Sequence, residues 1–318
     1  MTEEGRREVA VVGPGALGCL LAAALAGKTS EKIMVLDHDS KRAALLQHHG
    51  ITLEYPERNL HASVLATADP AVVGPASLVL LCVKSTAVQA SLPSLLPLLD
   101  EDSLLLAFQN GIAHIPLLQN AQLPGAWGLA VTSLGATLLA PGRVRFGGAG
   151  RTSLGFAAEC GKKAEAALLS ATILFNAAGI ETETSRDILA QAWDKLLVNV
   201  GINALTALYQ CKNGELLERE ETRAVMSAAV EEAAMVARAS GIAIAPEPAQ
   251  RTIAVCRATA GNISSMLQDI RRGRRTEIEA INGAVIARAE ELGLAVPVNR
   301  ELFSAIKALE NRDNHVSP

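Results

Sequence analysis

Glu8-Val-Ala-Val-Val-Gly13-Pro14-Gly15-Ala16-Leu17-Gly18 is the stretch that decides the fold, and it leads into Cys19-LLAAALAG-Lys28. The five residues before Gly13 form a short apolar strand, and the run after Gly18 has the composition of a helix. A G-x-G-x-x-G pattern between a strand and a helix is the fingerprint of a dinucleotide-binding βα turn. The first glycine allows the tight turn, the second lets backbone approach a pyrophosphate, and the third permits close helix–strand packing. A second strand, Lys32-IMVL-Asp37, ends in an acid 19 residues after Gly18. That is the spacing of the residue that reads the adenosine ribose. Arg6 and Arg7 precede the apolar stretch from Val9 to Gly27, which resembles a signal peptide. The glycines, the proline and the immediate second strand argue against that reading.

Outward from this unit, apolar strands alternate with helices. Ser77-LVLLCV-Lys84 and Ser103-LLLAF-Gln109 are continuous apolar runs, as expected of strands covered on both faces. Gly125–Thr132 reads as a further strand, and 51–54 with 62–66 as a polar-edged strand pair. Two short strands, 143–146 and 152–156, a helix over 161–178 and a strand over 181–184 complete this half. The pattern predicts a Rossmann-like, doubly wound parallel α/β sheet. Beyond Arg186 the periodicity is helical, with helices expected over 188–209, 214–240, 246–260, 264–292 and 300–311. The expected domains are 1–185, a dinucleotide-binding Rossmann domain, and 186–318, an all-helical substrate and catalytic domain. Two halves of unlike composition suggest a ligand cleft between them.

The helix ILAQAWDKLLVNVGINALTAL over 188–208 carries Lys195, Asn199 and Asn203 at steps of four. Such steps drift by only ~40°, so the three side chains share one stripe. A cation and two amides among Leu196, Leu197, Val198, Val200, Ile202 and Leu205 cost several kcal/mol unless paired or facing a cavity. The readings of the stripe that stand at this point are a surface stripe or asparagines in interhelical hydrogen bonds, and a substrate site on a rigid helix. Asn110-Gly111 closes a strand at the carboxyl edge of the sheet, as a plain turn or as a ligand contact. Lys84, at the same edge, is either a surface lysine or a cation beside phosphates. Asn262 or Ser264 can cap a helix whose first turn holds Ser265. Glu277 is either a surface group or the partner of a buried lysine such as Lys195.

The 318 residues are apolar-rich and aromatic-poor, with a net charge of −4, which argues against a general nucleic-acid binder. Five dispersed cysteines suggest neither a disulfide framework nor a metal site. No stretch reaches the ~18 uninterrupted apolar residues of a membrane span. The expectation is a cytoplasmic protein with no metal.

In order and spacing the motifs resemble the ketopantoate reductase family, within the 6-phosphogluconate dehydrogenase-like group. The resemblance rests on the GxGALG loop, Gln109-Asn110-Gly111, Thr132-Ser-Leu-Gly-Ala136, Pro141-Gly-Arg-Val and Gly148-x-Gly150. It continues through Trp193-Asp-Lys-Leu-Leu-Val-Asn-Val-Gly-Ile-Asn203, Asn213-Gly-Glu215, Ser264-Ser-Met-Leu-Gln-Asp269 and Thr276-Glu-Ile. It implies NADPH-dependent reduction of 2-dehydropantoate to (R)-pantoate in pantothenate biosynthesis. By resemblance Lys195 is the proton donor, and Glu277 stands by both cofactor and lysine. Gly13, Pro14, Gly15, Ala16, Leu17, Gly18, Asp37, Lys84, Asn110 and Ala136 fall on cofactor positions. Asn110, Lys195, Asn199, Asn203, Asn213, Asn262 and Ser265 fall on substrate positions, Ser265 against the carboxylate. Two departures stand out. Phe146 replaces a frequent histidine, and Leu36-Asp37-His38 replaces a strand end where many relatives carry arginine for the 2′-phosphate. Asp37 therefore keeps NAD open as the cofactor beside NADPH. The alternatives are a reductase of another small 2-keto acid and a non-catalytic regulator that binds a nicotinamide cofactor. The expected partner is a small 2-keto acid, with no nucleic acid and no membrane, and a homodimer is left open.

Overall fold

The computed structural model describes residues 8–313 and divides into two compact units. One unit ends at Gln109 and resumes over Pro116–Ile188; the other takes Asn110–Ile115 and begins again at Leu189.

The first unit holds twelve strands among the described residues: β1 (Glu8–Val12), β2 (Lys32–Leu36), β3 (Ile51–Glu54), β4 (Asn59–Ala62), β5 (Leu65–Thr67), β6 (Leu78–Leu81), β7 (Leu104–Ala107), β8 (Ala126–Thr132), β9 (Gly135–Ala140), β10 (Arg143–Gly148), β11 (Thr152–Gly155) and β12 (Thr182–Thr184). Eight of them form one sheet in the order β12-β11-β8-β7-β6-β1-β2-β5. From β8 to β5 every pairing is parallel, while β11 runs antiparallel to β8. Strands β7, β6, β1 and β2 are fully buried over their apolar runs, for example Leu78–Leu81 and Leu104–Ala107. Strand order reverses at β1, so the loops after β1, β2, β6 and β7 leave the same sheet edge. This is the Rossmann-like doubly wound arrangement, in which ligands gather at the carboxyl ends of the strands.

A second sheet, ordered β4-β3-β10-β9, covers the far side of α1 (Ala16–Lys28). That helix touches β1 and β2 on one side and β3, β4, β9 and β10 on the other. Burial from two sides explains why Gly18 to Leu25 is apolar throughout instead of striped. Each of Leu20, Leu21 and Leu25, buried here, contributes roughly 1.5–3 kcal/mol of transfer free energy. Membrane-like composition is thus the signature of a helix sandwiched between sheets. Among the described residues no helix is long and apolar enough to cross a membrane.

Two expectations about this unit need correction. The strand expected over 62–66 is two strands: Ala62 ends β4 against β3, and Leu65 begins β5 on the other sheet. Strand β9 was not expected. Its residues are nearly all half-buried, so the period-two alternation that marks a one-sided strand is missing. The remaining helices here are α2 (Ser40–His49), α3 (Pro70–Val73), α4 (Val88–Leu95), α5 (His114–Asn120), whose first two residues belong to the second unit, and α6 (Lys162–Ala177).

The second unit is all helical among its described residues, with α7 (Ile188–Tyr209), α8 (Glu220–Ala239), α9 (Pro248–Ala258), α10 (Ser265–Arg271), α11 (Asn282–Glu291) and α12 (Pro297–Asp313). Its core joins Trp193, Leu196, Val200, Met226, Val230, Ile278 and Val285. A single helix over 264–292 does not form. The chain breaks at Gly273, whose φ is +59°, and Thr276 is tied through its N–H and hydroxyl to Glu310 Oε1. Glu277 therefore lies on a turn, its carbonyl accepting the N–H groups of Ala280 and Ile281.

Candidate active site

The glycine loop leaves β1 at Gly13 and enters α1 after Gly15, the residue preceding its first turn. A Cβ on Gly13 would strike Val83, and one on Gly18 would strike the Gly13 carbonyl, so both serve close packing. A Cβ on Gly15 would meet nothing within 4 Å, leaving its backbone open to an incoming group. Pro14 accepts a hydrogen bond from Cys19 Sγ, while Ala16 and Leu17 form the first turn of the helix. At the same sheet edge lie Asp37, just past β2, and Lys84, an exposed residue that leads the turn Ser85–Ala87 after β6. A cavity of about 320 Å³ is lined there by Val12, Gly13, Leu36, Asp37, Val83 and Ala87, among others. Ala136 is half-buried on β9, paired with Phe146, whose ring lies 5.0 Å from that of Tyr55.

Gln109 and Asn110 are neighbours in the chain with separate duties. Gln109 is buried, and its Nε2 donates to the carbonyls of Leu81 and Val83 at 2.8 and 3.0 Å. Asn110 belongs to the second unit, where it bridges two charged groups. Its Oδ1 accepts from Lys195 Nζ at 3.0 Å, and its Nδ2 donates to Glu277 Oε2 at 3.0 Å. Asn110-Gly111 is a turn, and its amide also joins two charged side chains of the same unit. Gly111 has φ of +76°, and a Cβ would run into the Ala280 carbonyl, so the glycine lets the Asn110 loop approach the Glu277 turn. Lys195 is half-buried on α7. Burial pushes its amine down to about 8, and the nearby Glu277 carboxylate opposes that shift. Desolvation outweighs attraction, leaving an amine that is mostly protonated at neutral pH and able to give up its proton easily. The stripe on α7 is therefore no solvated surface.

A second cluster lies in the same unit. Asn203 is buried and Asn199 half-buried. The Thr206 hydroxyl lies 3.0 Å from the Asn203 carbonyl and 2.7 Å from Ser264 Oγ. Ser264 caps α10 through Leu267 N–H, which settles the cap in its favour over Asn262 and leaves Ser265 exposed in the first turn. Asn262 is exposed, and its carbonyl accepts the Asn213 N–H at 3.0 Å. Asn213 is buried; its Nδ2 donates to Thr259 Oγ1, and its carbonyl accepts from Cys256 Sγ. Thr259 had no signal in the sequence, because its bond to Asn213 is visible only once α9 lies beside that residue. Gln109 was visible only as part of a motif.

Two comparisons with families bear on this arrangement. Residues 9–159 match the family described as "Ketopantoate reductase PanE/ApbA", and residues 187–310 match "Ketopantoate reductase PanE/ApbA C terminal". The chain belongs to the ketopantoate reductase family. It is thereby an oxidoreductase, as the motif resemblance implied. Among curated ketopantoate reductases, the 2-dehydropantoate 2-reductase of Halobacterium salinarum is 35% identical over 306 residues, spanning 96% of this chain and 99% of that protein. The enzyme of the same name from Vibrio cholerae is 32% identical over 309 residues, spanning 95% and 97%. Among solved structures, a PanE/ApbA family ketopantoate reductase from Ralstonia eutropha JMP134 superposes with a TM-score of 0.88 at 31% identity, covering 97% of this chain and 100% of that one. A D-mandelate dehydrogenase solved with NADH and anilino(oxo)acetate also gives a TM-score of 0.88, covering 96% of this chain and 99% of that one. Its identity is 24%, so it shows a shared fold.

Proposed function

We propose that this chain reduces 2-dehydropantoate to pantoate at its C2 carbonyl, with NADPH as the cofactor, in the cytoplasm. The observation that carries the reading is the Lys195–Asn110–Glu277 relay, an ammonium and a carboxylate held by one amide. The glycine loop suits a dinucleotide, since the space beside Gly15 is open and α1 presents its first-turn N–H groups there. When bound, the reduced nicotinamide supplies the hydride. In this reading Gly13 to Gly18 and Lys84 hold its phosphates, and Ala136 and Asn110 are further cofactor positions by family resemblance. The helical half, 186–318 joined by Asn110, binds the substrate, and 1–185 otherwise binds the cofactor.

Lys195 donates its proton to the oxygen of the carbonyl as that oxygen gains negative charge. An amine with a pKa near 8 suits the task, because it is protonated at neutral pH and close enough to the working pH to transfer. Its positive charge also stabilises the developing oxyanion. Glu277 keeps the amine charged, and Asn110 fixes its direction. Asn199, Asn203, Asn213 and Asn262 supply amide contacts to the keto acid, and Ser265 contacts its carboxylate.

Loss of reduced-cofactor absorbance, with ketopantoate as the sole keto acid, tests the reading. Turnover on ketopantoate at least tenfold above pyruvate, 2-oxoisovalerate and benzoylformate in kcat/KM is the expected outcome. A preference for one of the others would move the chain to a different 2-keto acid, and no turnover on any would favour a cofactor-binding regulator.

A further inference from the structure

The carboxylate at the end of β2 does not have the surroundings of a ribose ligand. An acid at this point of a dinucleotide-binding unit ordinarily accepts hydrogen bonds from the ribose hydroxyls and repels a 2′-phosphate. Here the Asp37 side chain is fully buried. Its Oδ2 accepts from Arg42 Nε at 2.8 Å, and its Oδ1 from Arg42 Nη2 at 2.5 Å and from Asp39 N–H at 3.1 Å. Both oxygens are thus taken by donors of the chain itself.

Arg42 is the opposite case, with 42% of its side chain exposed. Its position is fixed twice. Asp39 caps α2 by accepting from the N–H groups of Lys41 and Arg42, which sets the first turn, and the fork of Asp37 then sets the guanidinium. A guanidinium has more than one donating edge. The Nε/Nη2 edge faces Asp37, which leaves Nη1 outside the pair. We propose that Arg42, braced by Asp37, recognises a phosphate monoester on the adenosine 2′ position, making Asp37 a positioning residue for that arginine and not a ribose ligand. The inference rests on the reading of the glycine loop as a dinucleotide site.

Electrostatics favour the arrangement. The ion pair neutralises the carboxylate, so the repulsion that a strand-end acid exerts on a phosphate is largely cancelled. The adjoining charged groups are His38, whose Nδ1 lies 3.4 Å from Asp37 Oδ1, with Lys41 and Asp39. The nearby cavity, lined by Leu36, Asp37, His38 and Ala68, offers room for the nucleoside. A planar fork with one edge anchored loses little freedom when the other edge meets phosphate oxygens, which is why lysine would be a poor substitute.

Calorimetric titration of the full chain with two probes, 2′,5′-ADP and 5′-ADP, tests this. The wild type is expected to bind 2′,5′-ADP at least tenfold more tightly. Arg42→Ala and Arg42→Lys should each abolish most of that preference while leaving 5′-ADP within about twofold, since a charge-assisted bond accounts for roughly tenfold or more. Asp37→Asn should weaken 2′,5′-ADP about three- to tenfold, with 5′-ADP again unchanged and the melting temperature recorded to confirm folding. Tighter 2′,5′-ADP binding by Asp37→Asn, or a loss confined to 5′-ADP, would overturn the proposal and return Asp37 to the ribose. Equal binding of both probes by the wild type would overturn it as well. Failure of the folded wild type to bind either probe would instead remove the dinucleotide reading beneath it.

Discussion

Lys195 Nζ donates to Asn110 Oδ1 at 3.0 Å, across 85 residues of chain. The contact explains why the chain leaves the sheet unit at Asn110 for only six residues before returning. With its oxygen on an ammonium and its nitrogen on a carboxylate, the Asn110 amide has one orientation, set by the charges on each side. An ammonium carries three N–H donors, so the bond to Asn110 leaves Lys195 with protons for another acceptor.

The first prediction follows from the amine. With the Lys195 pKa lowered to about 8, keto-acid reduction should be level below that pH and fall about tenfold per unit above it. Glu277 raises that pKa, so Glu277→Gln should shift the break to lower pH. A pH profile of kcat/KM measures both. A break that stays in place in Glu277→Gln would show that the carboxylate does not act on the amine.

Replacement of Lys195 by alanine should lower kcat by about 10² or more and leave cofactor affinity nearly unchanged. Glu277→Ala should cost both turnover and binding. Because Asn110 joins the two, the double variant should lose less than the sum of the single losses. Strict additivity would argue that the groups act independently, and a kcat for Lys195→Ala within threefold of wild type would take the lysine out of the mechanism.

Much of this was legible because short-range geometry carried it. The glycine loop needs only a strand, a turn and a helix in succession, and α7 has the bounds that its apolar period suggested. The stripe of Lys195, Asn199 and Asn203 follows from helix geometry alone. What was hidden depends on contacts distant in sequence. Asn110 reads as a strand-end residue of the first half, and only its bonds to Lys195 and Glu277 show that it belongs with the second. Glu277 reads as helical because its neighbours are apolar at helical spacing, while the Thr276–Glu310 bonds that hold the turn come from a helix 34 residues away. Asp37 has the right place and residue type for a ribose ligand, and Arg42 at position five beyond it changes its surroundings.

A pair of glycines separates backbone strain from site geometry. Gly111 and Gly273 both have positive φ, but only at Gly111 would a Cβ meet backbone, the Ala280 carbonyl. Gly273→Ala should cost about 1 kcal/mol of stability and leave kcat intact. Gly111→Ala should cost about 1–3 kcal/mol and lower kcat as well, because Asn110 would be pushed from Glu277. Denaturant melts and steady-state rates of the two variants check this. Equal kcat values would mean that the close approach at Gly111 has no part in the relay.

His114 predicts where the fold is weakest in acid. It stands at the head of α5, 3% exposed, with neither ring nitrogen hydrogen-bonded among the described residues. Burial lowers its pKa from 6.5 to about 4. The unfolded chain therefore binds the proton first as pH falls, and stability contributed by the neutral ring is complete above pH 6.5 and declines between 6.5 and 4. A difference of this size corresponds to about 3 kcal/mol, large against the stability of most domains. His114→Leu fills similar volume without titrating, so its stability should be nearly flat over that window where the wild type falls. Urea midpoints taken between pH 4 and 7 make the comparison, and parallel slopes for the two proteins would place the acid sensitivity elsewhere.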